Sequence, residues 1–133
     1  MTALLLALIL QATVPMRAID KGATSNMDGA RQASARTVEE WSKLWTQHAG
    51  ERARPAVDFN REIVVAVFTG TRPSAGFAVE IVGVKEDGAA LVVSYKETRP
   101  APDSVAAQVL TSPFHIVAVP KGSATTVRFE RAN

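Results

Sequence analysis

Residues 63–68 read Ile-Val-Val-Ala-Val-Phe, and this run constrains the fold more than any other stretch of the chain. It is continuously apolar and rich in β-branched side chains, which is typical of a central strand that is buried on both faces. We therefore expect a β-rich domain in which this strand lies inside a sheet.

Further segments with strand-like patterns follow along the chain. They are residues 76–84, 91–96, 105–110, 114–119 and 125–131. The sequence Glu86-Asp87-Gly88 is a hairpin turn, because glycine tolerates the positive φ that the turn requires. A second turn is predicted at residues 121–123. Since consecutive strands joined by tight turns pair antiparallel, the pattern predicts an antiparallel sheet.

One helix is predicted ahead of these strands. Thr37 is a suitable N-cap, Glu40 completes a capping box, and Gly50 ends the helix. The apolar residues that fall on one helical face are Val38, Trp41, Leu44 and Trp45. The two tryptophans could form an exposed binding surface, but core packing is favoured. The expected fold is thus α+β and mostly β, an antiparallel sandwich or curled sheet with one N-terminal helix packed on it.

The N-terminal residues resemble an export signal. Residues 1–10 are almost wholly apolar but too short to span a bilayer as a helix, and small residues follow at Ala12 and Ala18. The alternative is a buried N-terminal strand or helix. We expect a signal peptide over 1–18, a loop or short strand over 19–36 and one domain over 37–133. The mature protein is then extracytoplasmic, periplasmic or secreted, with no membrane span.

Charge and cysteine content exclude several functions. The 15 basic and 13 acidic residues, without Arg17 of the leader, leave a net charge of +1 (14 minus 13) on residues 19–133. Clustered basic residues with aromatic platforms are not visible, so a nucleic-acid partner is not expected. The chain contains no cysteine, which excludes disulfides and lipid attachment through cysteine.

Catalytic chemistry has little support in the sequence. The only histidines are His48 and His115, and neither has a partner at metal-ligand spacing. We interpret them as structural or surface residues, with His115 pointing toward solvent or a polar contact. Asp58 is interpreted as a cap for backbone amides. The sequence therefore predicts no enzyme, no metal and no cofactor.

Residues 69–77, Thr-Gly-Thr-Arg-Pro-Ser-Ala-Gly-Phe, form the densest cluster of special residues. The proline fixes φ, the two glycines permit unusual φ, and Arg72 is expected to be exposed. A hairpin connection between two strands needs such residues, and this structural interpretation is favoured. The alternative is a preorganised recognition loop, which loses little entropy on binding.

The order of short motifs resembles the C-terminal domain of PrcB, a protease-complex subunit. The matching stretches are residues 57–59, 63–68, 70–77, 92–93, 96–100, 111–114 and 116–121, and the Trp41/Trp45 helix also fits. The resemblance implies an exported, non-catalytic module that binds a protein, and the partner it implies is an exported protease. An accessory subunit or stabiliser of that protease is the expected role.

A second similarity concerns one loop. The sequence Arg-Pro-Ser-Ala-Gly-Phe at 72–77 is similar to the Asn-Pro-Thr-Thr-Gly-[Tyr/Phe] loop of chagasin-like cysteine-protease inhibitors, and Arg99-Pro100 is similar to a further loop of that family. This similarity implies protease inhibition as the alternative function. The partner-binding residues expected from both resemblances are Thr71, Arg72, Pro73, Ser74, Gly76, Phe77, Arg99 and Pro100.

Overall fold

The computed structural model describes residues 13–132, which form seven strands and one helix. They are β1 (Arg17–Gly22), β2 (Arg31–Ala35), α1 (Val38–Ala49), β3 (Glu62–Phe68), β4 (Ala78–Asp87), β5 (Ala90–Thr98), β6 (Phe114–Pro120) and β7 (Thr126–Arg131). One sheet has the order β1-β6-β3-β2 and the other β4-β5-β7. The predicted class, α+β and mostly β, is confirmed. Residues 1–12 of the predicted leader lie outside the described residues.

The sheet that contains β3 (the first sheet) packs against the sheet β4-β5-β7 (the second sheet) on one face and against α1 on the other. The domain therefore has three layers, with β3 in the middle one. Because side chains alternate along a strand, β3 supplies two separate cores. Ile63, Val65 and Val67 pack with the second sheet, against residues such as Leu91. Val64, Ala66 and Phe68 pack with α1 on the opposite face. The continuous apolar run of β3 therefore has the expected cause, which is burial on both faces.

Helix α1 begins and ends as its local sequence predicts. Thr37 Oγ1 accepts from the Glu40 N–H at 3.1 Å, and the Glu40 carboxylate accepts from the Arg36 N–H at 2.7 Å. Gly50 follows the helix with φ +62°. These contacts satisfy backbone groups that a helix end leaves unpaired.

The core face of α1 differs from the predicted face at one position. Trp41, Leu44, Trp45 and His48 are its buried residues, so core packing of the tryptophans is confirmed. Val38, predicted on that face, is 51% exposed. The buried stripe extends one turn toward the C-terminus, where His48 completes it, and leaves the first residue of the helix in solvent.

The strand pairing departs from an all-antiparallel sheet. Strand β5 pairs with β4 antiparallel, through the predicted hairpin at Gly88, but with β7 parallel. The connections β3–β4, β5–β6 and β6–β7 each cross from one sheet to the other. The segments 69–77 and 121–123 are thus crossovers, and the hairpin interpretation of residues 69–77 was wrong. Pattern alone does not say in which sheet the next strand pairs.

Two further segments differ from expectation. Residues 105–110 are not a strand, since Val105 and Leu110 face solvent and the segment meets loop 69–77 through an Ala75 N–H to Ala107 carbonyl bond of 3.0 Å. Strands β1 and β2 lie mostly within residues 19–36, the region expected to hold a loop or one short strand. No helix within residues 13–132 is long and apolar enough to cross a membrane.

Candidate functional site

Two crossover loops lie side by side at one end of the sandwich and form what we call the two-loop surface, residues 69–77 and 99–113. The first loop follows β3 and the second follows β5, so each loop begins at the end of an inner strand of its sheet. Loops held by a rigid scaffold are frequent sites of recognition. The two-loop surface contains the partner-binding residues predicted from the sequence.

Backbone hydrogen bonds hold the two loops together. The Arg72 N–H donates to the Thr111 carbonyl at 2.8 Å, and the Thr111 N–H donates to the Arg72 carbonyl at 3.0 Å. The Thr111 hydroxyl donates to the Ser74 carbonyl at 3.0 Å. Gly76 has φ +95°, and a Cβ there would lie 2.8 Å from Pro100 Cβ. The loops therefore form one preorganised unit, because each fixes the path of the other.

An ion-pair cluster anchors the surface to the second sheet. Arg72 Nε and one of its terminal nitrogens donate to the two Glu97 carboxylate oxygens at 2.6 and 3.0 Å. Arg131 lies 3.5 Å from the same carboxylate. The Arg72 hydrogen bonds lower the pKa of Glu97, and the positive charges of Arg131 and Arg99 act in the same direction. Arg72, predicted to be exposed, is instead largely committed to Glu97.

Exposed apolar side chains lie on the second loop. Val105 is fully exposed, Val109 is 54% exposed and Leu110 is 77% exposed. Single exposed apolar residues are ordinary, but three within six positions on an ordered loop are typical of a contact surface. Their exposure was not predicted, because residues 105–110 have a strand-like pattern. Only the location of the loop outside both sheets reveals their exposure.

The predicted partner-binding residues have different environments. Thr71, Pro73, Gly76 and Arg99 are exposed, whereas Ser74 is buried and its hydroxyl donates to the Ala75 carbonyl. The half-buried members are Arg72, Phe77 and Pro100. The structure thus places Pro100 against Gly76. Ser74 contributes to the internal architecture of the loop.

A shallow cleft borders the two-loop surface. It has a volume of about 300 Å³ and lies between the first loop and the segment that follows β1. Its lining residues are Ala23, Thr24, Ser25, Asp28, Thr71, Leu110, Thr111 and Ser112. Leu110 is both exposed and part of this lining, so the cleft and the exposed apolar side chains of the second loop share this residue.

A buried hydrogen-bond chain lies behind the cleft and was not predicted from the sequence. His48 Nδ1 is 2.8 Å from Ser25 Oγ, and His48 Nε2 is 3.0 Å from Asp20 Oδ2. Burial lowers the pKa of His48, against the opposing effect of Asp20, and this shift favours the neutral ring at pH 7. Burial alone would raise the pKa of Asp20, but hydrogen bonds from His48 and Arg52 outweigh it and lower that pKa.

The neutral ring has one direction for each hydrogen bond. The Asp20 carboxylate accepts from His48 Nε2–H, so in the neutral ring Nδ1 is the acceptor and the Ser25 hydroxyl donates to it. Ser25 Oγ in turn accepts from the Met27 N–H at 3.0 Å. A serine, a histidine and an aspartate in this order also occur in hydrolases. Here the serine residue is only 8% exposed, and its hydroxyl is engaged as both donor and acceptor.

The other histidine has a backbone partner. His115 is buried, and its Nδ1 accepts from the Ile81 N–H at 2.9 Å. Of the two predicted alternatives, solvent or a polar contact, the structure has the polar contact, which links β6 of the first sheet to β4 of the second. Asp58, predicted to cap backbone amides, accepts from the Asn60 N–H at 3.0 Å.

Metal-ligating groupings are not found in the described part of the chain, residues 13–132. Within the same residues, every fully buried side-chain nitrogen or oxygen has a hydrogen-bond partner.

Residues 63–120 match the family model described as PrcB C-terminal. No curated protein and no solved structure significantly matches the chain.

Proposed function

We propose, from the PrcB C-terminal domain that the chain carries over residues 63–120, that this protein is a non-catalytic protein-binding module of an exported protease complex. In this proposal it acts as an accessory subunit or stabiliser, and the two-loop surface is its contact. The family name supports an association with a protease complex. The surface chemistry supports the position of the contact.

The observation that carries the proposal is the exposure of Val105, Val109 and Leu110 on a preorganised loop. Exposed apolar side chains that lie close together on a folded protein mark interaction sites, because a partner that covers them removes apolar surface from water. Because the two loops are held by mutual hydrogen bonds and by the Arg72–Glu97 pair, little conformational entropy is lost when a partner binds.

Export is part of the same proposal. The apolar run at residues 1–10 is followed by small residues, as in secretory leaders. This feature supports function in the periplasm or outside the cell.

The direct test is capture of the partner from the envelope of the native host. The full chain with a C-terminal tag is compared with the double variant Val109→Asp/Leu110→Asp and with Val82→Asp. Val82 is 45% exposed on the second sheet, outside the two-loop surface, so it is a matched control. Recovered proteins are identified by mass spectrometry, and folding of each variant is checked by circular dichroism.

We expect the wild type and Val82→Asp to recover an exported protease or a protein bound to one. The double variant should recover at least tenfold less, because two buried carboxylates at an interface are strongly unfavourable. Equal recovery by all three chains would place the contact elsewhere. Recovery of no protease-associated protein by the wild type would overturn the proposed role.

Direct inhibition is the alternative function, and the same loop residues support it. Titration of the purified protein against papain-like proteases separates the two roles. An inhibitor abolishes activity stoichiometrically, whereas a stabiliser preserves activity or prolongs it. Undiminished protease activity at micromolar protein would exclude inhibition of the enzymes tested.

The non-catalytic assignment has its own test at Ser25. A fluorophosphonate probe labels serines that a histidine activates, and labelling is read by intact mass. We expect no label, because the Ser25 residue is 8% exposed and its oxygen already accepts from the Met27 N–H. Stoichiometric labelling that Ser25→Ala removes would instead identify a hydrolase.

A further inference from the structure

Residues 105–110 of the second loop carry unpaired backbone groups. They run without a turn or bend outside both sheets, and their sequence, Val-Ala-Ala-Gln-Val-Leu, has a strand-like composition. Among the described residues, none of their backbone N–H groups donates to a protein acceptor. Because backbone N–H and C=O groups are strong hydrogen-bonding groups, this segment resembles a strand that lacks its neighbour.

One backbone edge of the segment faces the first loop. The Ala75 N–H donates to the Ala107 carbonyl at 3.0 Å, and Thr111, four residues later, exchanges two hydrogen bonds with Arg72. The backbone groups of alternate residues point to opposite edges of an extended chain. The groups of residues 106, 108 and 110 therefore point to the other edge, which we call the open edge.

The open edge is already used for pairing at its next position, Ser112. The Ser112 N–H donates to the Ala23 carbonyl at 2.8 Å, and the Ser112 carbonyl accepts from the Ser25 N–H at 3.0 Å. Within residues 13–132, no backbone N–H donates to the carbonyls of residues 106, 108 and 110. The shallow cleft lies where this pairing stops, since Leu110 and Ser112 both line it.

The outer strands of both sheets differ from this segment in charge. Examples of their charged residues are Arg17 in β1, Arg31 in β2, Glu80 in β4 and Arg128 in β7. Charged side chains on outer strands are a common means of preventing pairing with other chains. Residues 105–110 contain no charged residue and no proline, so they lack this protection.

We propose that residues 105–110 bind the partner as a β-strand, by pairing the open edge with an exposed edge strand of the exported protease complex. The inference rests on the proposed function and states how the two-loop surface makes its contact. The backbone groups of residues 106, 108 and 110 hydrogen-bond to the partner strand, as in other proteins that recognise an extended segment by adding a strand to a sheet. Val105 and Val109 pack beside that strand on one face, and Leu110 packs on the other.

The test uses as its probe the partner that the full chain recovers from host envelope, once it is identified and purified. Gln108→Pro removes one N–H from the open edge and keeps the exposed apolar side chains, whereas Gln108→Ala removes only the side chain. Ala53→Pro is the proline control, because Ala53 is exposed outside the two-loop surface and its N–H has no partner in the described part of the chain. Circular dichroism checks the fold of each variant, and biolayer interferometry measures the Kd.

Gln108→Pro should bind about tenfold more weakly than Gln108→Ala, because a partner carbonyl at the interface loses its donor. Ala53→Pro should bind like the wild type. A second measurement needs no variant: in the wild-type complex, hydrogen exchange of the N–H groups of residues 106, 108 and 110 should slow about tenfold or more.

Equal binding by the two Gln108 variants, or unchanged exchange at these three N–H groups, would overturn strand pairing but leave the proposed function standing. Recovery of no protease-associated protein would overturn both. Light scattering of the purified chain tests the other occupant of the edge. A dimer that Gln108→Pro abolishes would assign the open edge to a second copy of this chain and overturn its assignment to the protease complex.

Discussion

The Arg72 guanidinium and the Glu97 carboxylate form a bidentate ion pair. This pair connects the first loop of the two-loop surface to the end of β5. Their contacts are 2.6 and 3.0 Å, and the Glu97 side chain is only 8% exposed. Paired bonds of this geometry are stronger than a single contact, because the planar guanidinium matches both carboxylate oxygens. The pair orders a loop that the sequence marks only by its glycines and proline.

Replacement of Arg72 by alanine is the first prediction. It leaves Glu97 nearly buried with Arg131 at 3.5 Å as its remaining close cation, so we expect a loss of about 1–3 kcal/mol in the free energy of unfolding. The matched control is Arg128→Ala, whose partner Asp87 is half exposed, and its effect should stay within about 0.5 kcal/mol. Urea unfolding measures both. Equal losses would show that the Arg72–Glu97 pair is no stronger than a surface pair.

The second prediction concerns pH. Burial lowers the pKa of His48 and of His115, and Asp20 and Glu80 oppose that shift only in part. Arg52 and Lys21 are the cations that disfavour protonation of these two rings. The unfolded chain therefore binds protons at a higher pH than the folded chain does. Stability should fall as the pH drops below about 6.5, toward the folded pKa values, by up to about 1.4 kcal/mol per histidine and pH unit.

The histidine variants assign this dependence. His48→Gln retains an N–H donor for Asp20, and His115→Asn retains an acceptor for the Ile81 N–H. Each single variant should show a shallower loss of stability between pH 7 and pH 5, and the double variant should lose most of the dependence. Thermal unfolding across that range is the measurement. A double variant with the wild-type slope would assign the dependence to other groups.

Gly76→Val is the third prediction. Gly76 has φ +95°, a conformation that side chains with a Cβ rarely adopt, and the new Cβ would lie 2.8 Å from Pro100 Cβ. Backbone strain and this clash should together lower the free energy of unfolding by about 1–3 kcal/mol. The control is Gly29→Val, where no atom lies within 4 Å of an added Cβ. A Gly76→Val melting temperature like that of the control would contradict the proposed packing of the two loops.

Leu44→Ala is the fourth prediction. Leu44 is 3% exposed in the core between α1 and the first sheet, so its truncation should lower the free energy of unfolding by about 2–5 kcal/mol. Val38→Ala serves as the control on the same helix, since Val38 is 51% exposed and should cost less than about 1 kcal/mol. Chemical denaturation compares the two. A larger effect at Val38 would mean that α1 packs through a different face.

Local signals in the sequence predicted the individual elements. The β-branched run of β3 indicated burial on both faces, and Thr37 and Gly50 marked the ends of α1 within a residue. Such signals succeed because capping, turn formation and side-chain alternation depend on neighbours along the chain. The candidate loop was also predicted in this way, because proline restricts φ and glycine permits additional φ values wherever they occur.

Pairings between distant residues were decided by the tertiary structure alone. No local pattern indicated that β7 would pair parallel to β5, or that His48 would contact Ser25 and Asp20. Residues 105–110 had a strand-like pattern but lie outside both sheets, so their apolar side chains are exposed. The physical reason is that sheet membership and burial depend on which faces meet in three dimensions, and residues far apart in the chain supply those faces. The sequence by itself determined most of the elements of this protein and the special backbone of its loop, whereas packing determined the surface that they form.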